Sequence, residues 1–293
     1  MAPQTMKIPK VLLNESNYRP ACKRRKMKWE NTLCLGLEWE LENVVKTNNT
    51  RTEDLKKVDK VINDYSKLLG VTNPFYYKTD CSVNNGVEFV TVPITLQYVH
   101  NKMPLHEVAE FMNTNTNFKA THDCGIHVHL DRDFFTELEL TKLRVFFSVN
   151  ATPLGKFSKR QPNKLHDWAA FERGYTVTDF IHGQKKNDDI MHSRRFACSF
   201  CSNIFRKKKD AYGRIVPVDK PKTIEIRLFA STTNPDRLVA ILQFCDALAF
   251  FIKTHSIIAI SKRSCWKTFV EWCKDTNRYN HLIKELENDN LAS

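Results

Sequence analysis

No stretch of this 293-residue chain is apolar for long enough to cross a membrane. The longest apolar run, near Ala247–Ile252, is short and is followed by Lys253. No segment has the layout of a secretory signal peptide, and neither a repeat nor a low-complexity tract interrupts the chain. Cysteine is present without a pairing pattern: the count of 9 is odd, the residues are scattered, and several sit inside apolar runs. A disulfide framework is therefore not expected, and buried thiols in a reducing, cytoplasmic setting are. Acidic residues are the scarcer charge, with 33 Asp and Glu against 45 Lys and Arg, a net charge of +12 and a pI of about 9.2. That balance favours polyanionic partners such as nucleic acid, nucleotides or acidic polymer, and says nothing about fold.

What the chain does have is core material. It is 42% hydrophobic with 19 Phe, ample for a large buried interior in one or two domains. Residues 1–29 read as a basic, polar lead-in containing Lys23-Arg24-Arg25-Lys26. Then comes Leu35-Gly36-Leu37-Glu38-Trp39-Glu40-Leu41-Glu42, in which apolar and acidic residues alternate with period two. On a β-strand this sends Leu37, Trp39 and Leu41 to one face and the three carboxylates to the other. Such a row is either a solvated acidic face or a platform for a hard divalent cation.

The device recurs. Tyr76–Asp80 and Gly86–Val92 read as a hairpin around Asn84-Asn85-Gly86. With an odd connection centred on Asn84, Asp80 stands across from Glu88. A two-residue turn at Asn85-Gly86 would put the two on opposite faces, and both registers stay open. In Cys124–Leu130, His127 and His129 share a face opposite Ile126, Val128 and Leu130, a pairing suited to metal or phosphate. In Thr223–Phe229, Glu225 and Arg227 share a face opposite Ile224, Ile226 and Leu228. They are either a cross-strand ion pair or a metal-binding carboxylate beside a phosphate-holding guanidinium.

Helices are expected between these strands. One is expected over Thr50–Gly70, with Leu55, Val58, Val61, Ile62, Tyr65, Leu68 and Leu69 at helical spacing. Others run to about Asn115, and from the Thr136–Glu139 capping box to about Asn150. A polar, irregular stretch is expected from Lys156 to about Arg195, and a strand from there to Phe205. A helix from Asn234-Pro235 to about Lys253 and a single one from Ser264 to Glu287 close the chain.

Together, G-x-E-x-E, then D-x-S with G-x-E-F-V downstream, then C-G-x-H-V-H, then T-x-E-x-R-L-F, over roughly residues 33–235, resemble the amidoligases related to glutamine synthetase and glutamate–cysteine ligase. The resemblance implies an α+β fold: a curved, mostly antiparallel sheet with helices packed on its convex face, here one catalytic domain over residues 30–293 with helices 235–287 packed on it. It implies ATP-dependent joining of a carboxylate to an amine through an acyl phosphate, with Mg²⁺ or Mn²⁺. By position, Glu38, His127 and Glu225 resemble the ligands of the cation nearer the transferred phosphate. Glu40, Asp80 and Glu88 resemble those nearer the acyl acceptor. Arg227 would steady the phosphoryl group, with His129 a second contact. Arg160, in Lys156–Arg160, resembles a binder of phosphate or substrate carboxylate, and Arg195-Phe196 with Asn203 loosely resembles the family's Arg-Tyr-x-x-x-Asn element, which implies Arg195 as a nucleotide contact. Asp-Cys-Ser at 80–82 departs from the family pattern, and nothing in the sequence explains Cys81. Relatives occur in bacteriophages, and the family leaves the two substrates open; the charge favours an anionic or nucleic-acid-linked one.

Two other readings compete. Cys198-Ser199-Phe200-Cys201, with His192 nearby and Arg206–Lys209 after it, could belong to a zinc- or nucleic-acid-binding protein without catalysis, although a second zinc-ligand pair is missing. The same fold could instead carry a metal-dependent phosphotransferase or hydrolase.

Overall fold

The computed structural model describes residues 33–45, 47–71, 73–78, 85–171, 197–199, 208–209, 215–216 and 223–292. The basic lead-in, Asp80, Cys81, His192, Arg195, Cys201, Asn203 and Arg206–Lys207 lie outside the described residues.

The period-two segments are strands. β1 (Leu35–Asn43), β2 (Phe75–Lys78), β3 (Gly86–Thr91), β4 (Phe118–Lys119), β5 (Gly125–Asp131) and β6 (Cys198–Ser199) share one sheet; β7 (Lys208–Lys209) and β8 (Ile215–Val216) pair separately; β9 (Thr223–Ala230) completes the main sheet. Its order is β2-β3-β1-β5-β9-β6, with β4 alongside β1, and each pairing is antiparallel. The sheet is open and curved.

Alternation decides the two faces. Leu35, Leu37, Trp39, Leu41, Phe89, Ile126, Val128, Leu130, Ile224 and Ile226 are buried in one apolar cluster. Helices cover that face and complete the cluster: α1 (Asn48–Leu68), α2 (Leu96–Lys102), α3 (Leu105–Asn115), α4 (Glu137–Val149), α5 (Ala151–Ser158), α7 (Pro235–Thr254), α8 (Ile257–Ile260), α9 (Cys265–Thr276) and α10 (Asn280–Asn288), while α6 (Pro162–Trp168) adds only the half-buried Leu165. The fold is α+β, as expected. α7 lies deepest. Asn234 caps it by accepting from Arg237 N at 3.2 Å, Pro235 opens it, and Phe244, Leu248 and Phe251 are fully enclosed. Each such side chain contributes roughly 1.5–3 kcal/mol by leaving water.

One buried carboxylate ties the end of β1 to α1 and β4. Asp54 accepts from Asn43 Nδ2 (3.1 Å), Asn117 N (2.8 Å), Asn117 Nδ2 (3.0 Å) and Lys57 Nζ (2.9 Å). The capping box forms as read, with Thr136 N donating to Glu139 Oε2 at 2.8 Å.

Four local expectations change. Leu68 belongs to α1 but is 78% exposed, because the last turn carries it to solvent. The polar stretch after Lys156 holds the end of α5 and all of α6, started by Pro162 at its first turn. The expected C-terminal helix is two helices, broken where Asn277 takes a left-handed conformation (φ 51°) that Asn tolerates better than most residues. Finally, β9 carries a bulge: Ile126 pairs with Phe229 and Val128 with Ile226, so Arg227 and Leu228 together stand opposite His127. Leu228 and Phe229 are consequently both buried.

Candidate active site

The second face of the sheet is polar because the same alternation turns every core residue's neighbour outward. β1 contributes Glu38 and Glu40, β3 Glu88, β5 His127 and His129, and β9 Glu225 and Arg227. Register brings them together. Glu40 pairs with Glu88, Glu38 with His127, and His129 with Glu225.

Among the described residues, Glu38, His129 and Glu225 gather so that their candidate ligand atoms all lie within 4.8 Å of one another. Hard-cation bonds of about 2.0–2.6 Å put donors on opposite sides of one ion about 4–5 Å apart, so the set fits a divalent cation. His129 Nδ1 lies 3.0 Å from the Thr223 hydroxyl, while its buried Nε2 faces Glu38 Oε1 at 3.2 Å without hydrogen-bond geometry. Fixing one imidazole nitrogen so that the other presents to a cation is the usual arrangement of a ligating histidine. His127 stands between the carboxylates, its Nδ1 3.4 Å from both Glu38 Oε2 and Glu225 Oε1 and its Nε2 3.7 Å from Glu40 Oε1.

Positive groups border this cluster. Arg227 is ion-paired with Glu225, which is itself buried and not on a solvated outer face. Arg160 follows α5, where Lys159 takes a left-handed turn (φ 59°), and its Nη2 reaches the Arg227 carbonyl at 3.4 Å. Among the described residues, the buried Nε groups of Arg160 and Arg227 have no hydrogen-bond partner. Gly125 makes room for Arg160, since a Cβ there would fall inside contact distance of its guanidinium. The Gly125 N–H donates to Glu40 Oε2 at 2.6 Å.

The electrostatics are those of a crowded anionic site. Burial works to raise the Glu38 carboxyl, but the adjoining His127 and His129 imidazoles outweigh it and hold it well below its ordinary range. Burial likewise opposes ionisation of Glu225, and His127, Arg227 and His129 overcome it. Burial would lower His129, yet the Glu38 carboxylate raises it. Glu88 goes the other way: burial, then the charge of Glu38, push it up to about 9. Burial lowers Arg160 to about 10, with Arg227 adding to the effect and Glu40 opposing it.

Of the residues expected at the site, Glu38, Glu40, Glu88, His127, His129, Glu225, Arg227 and Arg160 gather here; Asp80 and Arg195 lie outside the described residues. The residue directly across from Glu88 is Lys78, not Asp80. Lys78 went unassigned in the sequence, although period two on β2 places it on the same face as Glu88. Cys198, the described member of the C-x-x-C, is packed in the apolar core opposite Ile226. Among the described residues, no helix is long and apolar enough to cross a membrane.

A face of buried carboxylates and imidazoles flanked by guanidinium groups has the donor chemistry for cation and phosphate. The chain matches, over residues 38–249, the model of the family described as "putative amidoligase enzyme", and it belongs to that family. A solved structure described as a "novel glutamine synthase homolog" is similar to it at 13% identity, covering 94% of this chain and 70% of that one, with a TM-score of 0.34. No curated protein matches.

Proposed function

We propose that this protein is an ATP-dependent carboxylate–amine ligase that forms an amide through an acyl phosphate. The observation that carries this reading is the convergence of Glu38, His129 and Glu225 beside two guanidinium groups whose buried Nε–H donors have no partner among the described residues. Family membership supports the ligase class.

A carboxylate is a poor electrophile at neutral pH. Transfer of the γ-phosphoryl group of ATP to one carboxylate oxygen releases ADP and creates a leaving group; attack by the amine then expels phosphate and leaves the amide. Two anions must meet for the first step. Glu38, His129 and Glu225, with His127 alongside, would hold Mg²⁺ or Mn²⁺, which when bound neutralises the triphosphate and orients its phosphoryl group. Arg227 presents a planar fork to the phosphoryl oxygens as charge develops on them. Glu225 fixes that fork from one side, and the Arg227 carbonyl anchors Arg160 beside it. Arg160 supplies a second fixed positive charge for phosphate or for the substrate carboxylate.

The substrate is proposed to be anionic or linked to nucleic acid. Residues 1–32 and 172–222 hold 20 of the 45 Lys and Arg but only 8 of the 33 Asp and Glu. The rest of the chain is balanced, so the whole excess of positive charge resides in those two segments, available to attract a polyanion.

The test is a carboxylate substrate labelled with heavy oxygen, found by screening carboxylate and amine mixtures for amine-dependent ADP release. One labelled oxygen should appear in phosphate for each amide formed. Amide formation with unlabelled phosphate, or with AMP and pyrophosphate as products, would refute the route.

A further inference from the structure

Arg160 stands where two pulls oppose: the Glu40 carboxylate attracts its guanidinium and the like charge of Arg227 repels it. Where it comes to rest therefore depends on where its backbone leaves α5. That exit is an unfavourable one. Lys159 takes a left-handed conformation (φ 59°), which a lysine adopts far less readily than glycine or asparagine. Local bonds close the turn, with Ser158 Oγ accepting from Arg160 N at 3.1 Å and donating to the Gly155 carbonyl at 2.7 Å. Two further ties come from α7 and α10. Arg237, buried on α7, donates from Nη2 to the Phe157 carbonyl and from Nη1 to Glu285 Oε1 at 3.0 Å, and its guanidinium lies 4.6 Å from the centre of the Phe157 ring. Lys159 Nζ donates to Asp289. Glu285 lies on α10 and Asp289 immediately follows it. α10 is itself fixed on α7: Leu282 and Leu286 are fully buried, and Leu282 N donates to Gln243 Oε1 at 2.9 Å.

We propose that Glu285 and Asp289 are positioning residues for Arg160, Glu285 acting through Arg237 and Asp289 through Lys159. A helix packed on the apolar side of the sheet thereby sets where the second guanidinium of the polar face stands. This positioning rests on the reading above that Arg160 meets phosphate or a substrate carboxylate. The bridge suits arginine, whose planar fork holds a carboxylate and a carbonyl at once. The two ties grip the turn on either side of Ser158, at Phe157 and at Lys159. Without them the left-handed turn is left to its local bonds, and Arg160 is free to move towards Glu40 and away from Arg227.

The test reads Arg160 directly and then through turnover. Arginine labelled with heavy nitrogen at Nε gives a magnetic resonance for each buried guanidinium, assigned by its loss in the corresponding Arg→Lys variant. In Glu285→Gln/Asp289→Asn, nearly isosteric but without either carboxylate charge, the Arg160 resonance should shift or broaden while that of Arg132, at the other end of β5, stays in place. The kcat for amine-dependent ADP release should fall by roughly 10- to 100-fold, the scale of a small misplacement at a reacting centre. In an Arg160→Ala background the same two substitutions should cost almost nothing further. Arg237→Lys, which keeps the buried charge but cannot hold both partners in one plane, serves in both measurements should the double variant fail to fold. An unmoved Arg160 resonance, or losses that add in the cycle, would overturn the proposal. A moved resonance in a protein that shows no amine-dependent ADP release would uphold the positioning and remove the ligase reading instead.

Discussion

Gly125→Ala tests the link between the histidine strand and the arginine after α5. A Cβ at this position would overlap Arg160 Nη2 and lie 3.1 Å from His127 Nε2. The backbone of β5 is held on both sides, by β1 and β9, and the Gly125 N–H is fixed on Glu40 at 2.6 Å. The guanidinium is the far end of a flexible side chain, so it gives way first. The fold should survive with a penalty of about 1–3 kcal/mol, typical of overpacking. Arg160 should leave its place beside Arg227 and Glu40. Loss of one preorganised charged donor generally costs on the order of 10²–10³ in rate, so kcat for amine-dependent ADP release should fall by that factor. The decisive comparison is a double-mutant cycle with Arg160→Ala. Because the added methyl group acts through Arg160, the double variant should be little slower than Arg160→Ala alone, a strongly non-additive result. Full activity in Gly125→Ala, or additive losses in the cycle, would refute the reasoning.

Three further outcomes are expected. Asp54→Ala strands the Asn43 and Asn117 donors and should cost about 3 kcal/mol or more in denaturant unfolding, since hydrogen bonds to a buried charge contribute about 1.5–3 kcal/mol each. Burial works to raise the Asp54 carboxyl, but the bonds from Asn117 and Lys57 outweigh it and lower it; its stabilisation is therefore present above the unfolded value of about 3.9 and is lost as pH falls through the lower folded value, so wild type and variant should converge in acid. His129, raised by Glu38 in the cation-free protein, must lose a proton to ligate; Mn²⁺ affinity should therefore rise with pH and uptake should release a proton, an effect that calorimetry in buffers of different ionisation heat should find missing in His129→Asn, along with a roughly 10–100-fold loss of affinity. Arg227→Lys keeps the charge but not the fork, so kcat should drop by about 10²–10³ while the KM for ATP changes far less; a change confined to KM would contradict its placement at the phosphoryl group.

The strand chemistry of the site was legible because alternation with period two fixes which side chains share a face before any register is known. Glu38 with Glu40, His127 with His129, and Glu225 with Arg227 each follow from one segment alone. Register was less legible, since it depends on turn geometry and on the partner strand; the ladder that sets Lys78 against Glu88 is invisible in either strand by itself. The β9 bulge was hidden for the same reason: it is a mismatch between two strands, and Thr223–Phe229 reads as regular alternation. α6 escaped notice because none of its residues is buried, so it has no apolar stripe to betray its period. Arg160 was reachable only through the family resemblance, because a residue after a left-handed turn has no periodicity to place it.

The position of β9 in the sheet also sets when the site can exist. It lies between β5 and β6, and Ser231 behind it reaches the Glu40 carbonyl across 191 positions of chain. Glu225 and Arg227 therefore arrive late during synthesis, long after Glu38 and both histidines have left the ribosome. Until then β5 is an open edge, ready to pair with any passing strand, and its polar face lacks one wall. Closing so long a loop slows folding, but the entropic cost grows only logarithmically with length, so the connection from α6 to β9 can lengthen or shorten at little thermodynamic expense. A nascent chain that stops short of β9 holds Glu38, Glu40, Glu88 and both imidazoles without Glu225 and Arg227, and the polar cluster can assemble only once β9 has been made.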